Sequence, residues 1–288
     1  ILSIQVNSIS PCSGSLNDQL TISITKQPTV SAGNDASLCE NETFVTSGQA
    51  GNFSTILWET NGDGLFANAT ALATEYTPGI DDLATGQVSL TLTTGPINPC
   101  TVSASDQISL QFIAQPTVNA GEDLSICEGN SASLSGAASN HSSVHWSTSG
   151  DGYFTSPYSL NTNYNPGTED KTAGTLTVVL TAVPVSPCAV SAEDLLNIYI
   201  EPLPEVSAGD DITICEGENV QLNGTAQNFS SAGWSSDGTG TFADPVSPVT
   251  QYIPSAQDIQ NGAVSLCLTA NSLSLCNAET DCINVTIV

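Results

Sequence analysis

Apolar side chains alternate with polar ones in short bursts along this chain. The clearest burst is Val88, Leu90 and Leu92 followed by Ile108, Leu110 and Phe112, the period-two pattern of two strands with one face in a core. It returns as Leu176, Val178 and Leu180 with Leu196, Ile198 and Ile200, and again as Val264, Leu266 and Leu268 with Ile283, Val285 and Ile287. In the third instance the second strand falls one position early, so its hairpin loop has lost one residue after Cys276. Ahead of the first pair, alternation bounded by Gly, Pro, Asn and Asp predicts short strands over 29–32 and 36–39 and longer ones over 43–47 and 55–60. A turn at Asn61-Gly62-Asp63-Gly64, where glycine would supply positive φ angles, leads to strands over 65–67 and up to Tyr76. Residues 80–84 read as one helical turn crossing between sheets. No segment sustains a helical period, so the class is all-β.

These elements recur because the chain does. SAGNDASLCE at 31–40 comes back as NAGEDLSICE at 119–128 and SAGDDITICE at 207–216, 88 residues apart each time. A period that long marks a tandem array of small domains. The expected division is a C-terminal hairpin of a truncated preceding repeat at 1–27, then repeats at 28–115, 116–203 and 204–288, as in an internal piece of a longer protein. Roughly seven or eight short strands per repeat, with one Trp in an early-middle strand, predict two-sheet β-sandwich domains. Connections with almost no linker predict a head-to-tail rod. Within the recurring decapeptide, Ala-Gly is expected to bend the entering strand and Asp to cap the turn.

Charge narrows the functional classes. Two basic residues face 29 acidic ones, a formal net charge of −27, which repels nucleic acid and anionic lipid. No apolar run reaches membrane length, so this segment is not expected to insert. Nine cysteines at repeat-locked positions, without CxxC or paired Cys/His spacing, argue for disulfides in an extracellular compartment rather than a metal site.

Each repeat has one Cys ahead of its second long strand (Cys39, Cys127, Cys215) and one in its last hairpin loop (Cys100, Cys188, Cys276). Pairing within repeats would give Cys39–Cys100, Cys127–Cys188 and Cys215–Cys276, leaving Cys12 stranded. Five strands separate the two positions, however, and an odd number puts them at opposite poles, about 20–30 Å apart. A disulfide tolerates a Cα separation of at most about 7 Å. Parity therefore favours cross-repeat bonds, Cys39–Cys188 and Cys127–Cys276, and the internal pairing stays open if not every strand runs full length. Cys267 and Cys282 flank inward-facing residues at matching height on partner strands, which predicts an outer-face staple.

The order PxVxAGxDxxxCE, Trp, GxGxF, YxP, VxLxL, loop Cys and an Asp-led final strand resembles the PKD-like and immunoglobulin-like repeats of giant Bacteroidota surface proteins. Those include gliding-motility adhesins and other cargo of type IX secretion. The resemblance spans essentially the whole chain and implies tandem β-sandwiches at the cell surface, serving adhesion or filament building. It carries over no ligand-binding residue.

The residues themselves suggest a disulfide-stabilised stalk whose partners are neighbouring repeats and, in a filament, lateral copies. The alternative is a module that binds surface glycans or proteins through pole loops, assisted by calcium, with Asp35, Asp123 and Asp211 as the recurring carboxylates. Calcium needs about six to eight converging oxygens, and solvated or turn-capping Asp is the simpler reading of these positions, as it is of Glu40, Asp82, Asp106 and their equivalents. Trp58, Trp146 and Trp234 could stack on sugars, but their strand position assigns them to the core. His141 and His145 occur in one repeat only, with no nucleophile or metal motif beside them, so no enzyme is expected.

Overall fold

The computed structural model describes residues 1–288. They form two compact units, Ile1–Gln115 with Val185–Ala189, and Pro116–Pro184 with Val190–Val288.

In the first unit, Leu2–Asn7 and Ser15–Leu20 make an antiparallel hairpin with Leu2 opposite Leu20. Leu2, Ile4 and Val6 alternate along it yet are exposed, since no further strand or second sheet covers them. The remainder is an immunoglobulin-like sandwich. In its larger sheet, Ala36–Cys39 runs parallel to Ala104–Ile113, which pairs antiparallel with Gln87–Pro96, and that in turn with Phe53–Thr60. The opposing sheet has Phe44–Val45, Glu75–Thr77 and Leu65–Phe66 in spatial order, flanked by a ribbon of Thr29–Ser31 and Gln49–Gly51.

Register explains the core. Val88 lies opposite Leu110 and Leu90 opposite Ile108, so their side chains enter the space between the sheets and close on Trp58 and Tyr76. Trp58 is 2% exposed and stacks on Phe66 at 5.9 Å, which tilts onto Tyr76 at 4.9 Å. Trp146 and Trp234 are buried in equivalent aromatic triads, so all three tryptophans belong to cores and are not presented to sugars. Each fully buried aliphatic side chain contributes roughly 1.5–3 kcal/mol. Truncating Leu90, which is fully buried, to Ala costs about 2–5 kcal/mol.

The second unit repeats this order twice. Leu124–Cys127, Ala192–Glu201, Thr175–Pro184 and His141–Thr148 make one four-stranded sheet, and Ile212–Ile214, Glu279–Ile287, Ala263–Asn271 and Ser231–Ser236 the other. In the latter, Val264 opposes Val285 and Leu266 opposes Ile283. The one-residue shift is thus absorbed in the loop and the core pairing is kept.

Two elements differ from the sequence reading. The strand expected over 43–47 is only Phe44–Val45, because Thr46 turns inward, donating its N–H to Thr74 and its hydroxyl to the Leu72 carbonyl. Gln49–Gly51, without a β-branched residue, still forms a strand by pairing with Thr29–Ser31.

Candidate functional site

The decapeptide of the opening repeat is a set of ties to the last strand of its own sandwich. The Ala32 N–H donates to Asp106 at 2.8 Å, as Ala120 does to Asp194 and Ala208 to Asp281. Gly33 follows at φ 111°, in the region that favours glycine, and bends the chain toward the edge strand. Asp35 then accepts the Ser109 N–H, Asp123 that of Asn197 and Asp211 that of Asn284, each at 2.8 Å. Glu40 accepts the Gln115 N–H at 3.1 Å, and Glu128 accepts that of Leu203 at 3.4 Å.

These partners answer the calcium reading. Asp35, Asp123 and Asp211 do not converge on a cage; each accepts a main-chain N–H, and no group of three or more His, Cys, Asp or Glu side chains is placed to hold a metal ion. The acidic positions recur because backbone donors recur.

Between these ties stand the cysteines. Cys39 is bonded to Cys188 with Cα atoms 4.9 Å apart, and Cys127 to Cys276 at 5.0 Å, each joining residues 149 apart. Cys267 and Cys282 face each other across their strand pair at 4.0 Å and are bonded. The pairings within repeats, Cys39–Cys100, Cys127–Cys188 and Cys215–Cys276, do not form. Cys39 and Cys188 bond to each other, as do Cys127 and Cys276, which leaves Cys12, Cys100 and Cys215 as free thiols.

Each incoming loop sulfur sits on a fixed carbonyl: Cys188 Sγ is 3.3 Å from the Ile113 oxygen, and Cys276 Sγ is 3.4 Å from that of Glu201. In the second unit Glu201 adds a polar lock. Its carboxylate accepts the hydroxyl and N–H of Ser274 and the N–H of Leu275. The Ser274 hydroxyl and N–H, with the Leu275 N–H, hold its pKa down at about 2 against the opposing effect of desolvation.

A second constellation was missed as a unit by the sequence reading. Asp82, on the helix Ile80–Thr85, is buried and accepts the Tyr76 hydroxyl at 2.5 Å and the N–H groups of Gly64 and Gly79 at 3.1 Å and of Asp63 at 3.3 Å. Asp170 with Tyr164, and Asp258 with Tyr252, repeat it. Burial, and then the hydrogen bond to the carboxylate, push Tyr76 and Tyr164 up to about 12. Burial pushes the Asp258 carboxyl up, but the N–H groups of Ser255 and Thr239 and the Tyr252 hydroxyl hold it below its ordinary value.

This network also corrects the reading of the GxG turn. Gly62 and Gly64 are not among the residues with positive φ. They are small because a Cβ at Gly62 would overlap the Asp82 carboxylate and one at Gly64 the Tyr76 hydroxyl. Asp63 caps the helix by accepting the N–H groups of Asp81 and Asp82, and a Cβ at Gly79 would overlap its carboxylate. The third repeat has Thr239 and Ser255 in these places. Their hydroxyls bond to each other at 2.6 Å, and Ser255 caps the helix by accepting the Asp258 N–H.

The arrangement ties strands and turns within each sandwich and bonds Cys39 to Cys188 and Cys127 to Cys276. The disulfides place the chain in an oxidising compartment, and no helix is long and apolar enough to cross a membrane. No family model matches the chain, and no curated protein sequence matches it. Among solved structures it is similar to an I-band fragment from titin, at 13% identity and a TM-score of 0.55 over 92% of this chain and 100% of that one. It is also similar to an E-to-A mutated variant of a three-Ig titin fragment, at 15% identity and a TM-score of 0.53 over 91% of this chain and 99% of that one. At such identity the likeness is one of fold, and the fold is that of tandem immunoglobulin-like β-sandwiches.

Proposed function

We propose that this chain is a structural segment of a long extracellular protein, a stalk whose repeats are bolted to one another so that it keeps its length under load. The observation that carries this reading is the pair of overlapping disulfides, Cys39–Cys188 and Cys127–Cys276, each of which bonds one repeat to the next. The resemblance to giant Bacteroidota surface repeats supplies the finer form of the proposal: a stalk of a cell-surface adhesin or filament of the gliding-motility kind, exported by type IX secretion.

Pulling on the two ends tests the mechanical claim. In a fully unfolded but oxidised chain, tension runs from Ile1 to Cys39, crosses to Cys188, runs back to Cys127, crosses to Cys276 and continues to Val288. That path has about 110 residue steps, or roughly 390 Å at about 3.5 Å each. The reduced chain of 288 residues reaches roughly 1,000 Å. Single-molecule extension without reductant should stop near the shorter value and lengthen more than twofold with reductant. Equal extension under both conditions would defeat the bolted-stalk reading.

A further inference from the structure

The free thiol of Cys215 occupies the place that Cys39 and Cys127 hold in their repeats, and both of those are bonded to a hairpin-loop cysteine 149 residues later. From this we infer that the exposed end of the third repeat is a covalent docking site for the hairpin-loop cysteine of a further repeat of this kind. The inference rests on the stalk reading.

Two observations besides the cysteine carry it. The surroundings are already arranged as at the occupied sites. The Glu218 carboxylate accepts the Cys215 N–H at 3.0 Å, as Glu42 accepts that of Cys39 at 3.2 Å. The Glu216 N–H donates to the Val288 carbonyl at 2.9 Å, as Glu40 does to Ile113 and Glu128 to Glu201. The Ile113 and Glu201 carbonyls are the seats on which the bonded sulfurs of Cys188 and Cys276 rest, so Val288 offers the same seat.

The second observation is the reciprocal half. Cys100 is a free thiol, yet its Sγ lies 3.5 Å from the Thr25 carbonyl, 75 residues earlier in the chain. The same offset of 75 separates Cys188 from Ile113 and Cys276 from Glu201. A loop cysteine therefore takes its seat without a bonding partner. The occupant needs only a hairpin loop that carries such a cysteine. Ser10-Pro11-Cys12 matches Ser186-Pro187-Cys188 and is exposed, so a second copy of this chain can supply it as well as a following repeat of the same polypeptide can.

The bond forms by thiol–disulfide exchange with a small-molecule disulfide such as oxidised glutathione. One protein thiolate displaces a glutathione thiolate to give a mixed disulfide. The second protein thiolate then displaces the other glutathione, so two protein thiols and one oxidised glutathione become one protein disulfide and two reduced glutathiones.

Two arms test this in a glutathione redox buffer, read by peptide mapping without reduction. In one, the intact chain is mixed with an isotope-labelled copy. In the other, the chain is lengthened after Val288 by a second copy of residues 202–288. The expected result in at least one arm is a Cys215 bond to the loop cysteine, Cys12 of the second copy or the added loop cysteine, at least tenfold over Cys215–Cys215, and its loss in Cys215→Ser. The arm that responds identifies the source. A statistical mixture of pairings, or no bond in either arm, overturns the inference. The single-chain extension assay does not involve Cys215, so failure here leaves the stalk reading to be judged separately.

Discussion

Placing a methyl group on Gly62 should unfold the first repeat selectively, because that glycine makes room for a buried carboxylate. A Cβ there would overlap Asp82 Oδ1 and lie 2.7 Å from Cγ and 3.0 Å from Val88 Cγ2. Asp82 cannot swing outward without leaving the N–H groups of Asp63 and Gly64, two of its four donors. Hydrogen bonds to a charged group are worth about 1.5–3 kcal/mol each, so the loss is about 3–6 kcal/mol. The stiffer unfolded chain returns about 0.4–1 kcal/mol. The net, about 2–5 kcal/mol, lowers the midpoint of a domain this size by roughly 10–30 °C. Gly129→Ala is the control, since its φ is 93° but nothing lies within 4 Å of the added atom, and backbone strain alone costs about 1–2 kcal/mol. The chain has three tryptophans, one per repeat (Trp58, Trp146, Trp234), so 5-fluorotryptophan gives each repeat its own fluorine signal during a melt. Gly62→Ala should shift the Trp58 signal and leave the other two in place. A shift no larger than that of Gly129→Ala, or equal shifts in all three signals, would refute the steric argument.

Two further outcomes follow from the ties at the clamps. Folding lowers the Glu201 pKa from 4.5 to about 2, so its contribution is complete above pH 4.5 and is lost as pH falls through the folded value. Protection of the Ser274 and Leu275 amides, measured relative to their intrinsic exchange at each pH, should therefore fall between pH 4.5 and 2 in the native chain and stay flat in Glu201→Gln; protection unchanged down to pH 2 would contradict this. The helix caps should show coupled exchange between repeats. Gly79→Ser alone clashes with Asp63, whereas Gly79→Ser with Asp63→Thr rebuilds the Thr239–Ser255 arrangement. A double-mutant cycle should return about 1–3 kcal/mol of coupling, and additive losses would show that the two caps are not interchangeable.

The sequence reads most clearly where one physical signal dominates. Period-two alternation located Val88 to Leu92 and Ile108 to Phe112 because both strands bury one face only. Strand parity separated the poles of a repeat because rigid strands turn a count into a distance, and the bonds formed run between repeats. The Tyr76–Asp82 pair was not legible in the same way. Nothing in an isolated Asp tells whether it meets water or four donors, and Asp82, Asp170 and Asp258 read as ordinary turn carboxylates. The available signal was joint recurrence: GxG, Tyr and Asp keep their spacing in all three repeats while the residue between the glycines changes from Asp to Thr. The partners of Asp35, Asp123 and Asp211 were not legible for a related reason, since backbone donors leave no trace in residue identity.

The separation of 149 residues has a consequence that pairing within repeats would lack. Bonds of the Cys39–Cys100 and Cys127–Cys188 kind would leave residues 101–126 outside every loop, so one cut at the connection between the first two repeats would sever the chain. The bonds that form close loops from 39 to 188 and from 127 to 276, and these overlap from 127 to 188. Every peptide bond between Cys39 and Cys276 thus lies inside at least one loop. A single cut anywhere in that span leaves two pieces still joined through sulfur, and two cuts release a fragment only when both fall between the same two consecutive bonded cysteines. A protease site inserted at 113–117 should yield one band on a non-reducing gel after complete cleavage and two bands after reduction. Two bands without reductant would mean that the overlap does not exist in solution. The offset pairing thus keeps the connection between the first two repeats inside a covalent loop, so that a single cut there does not sever the chain.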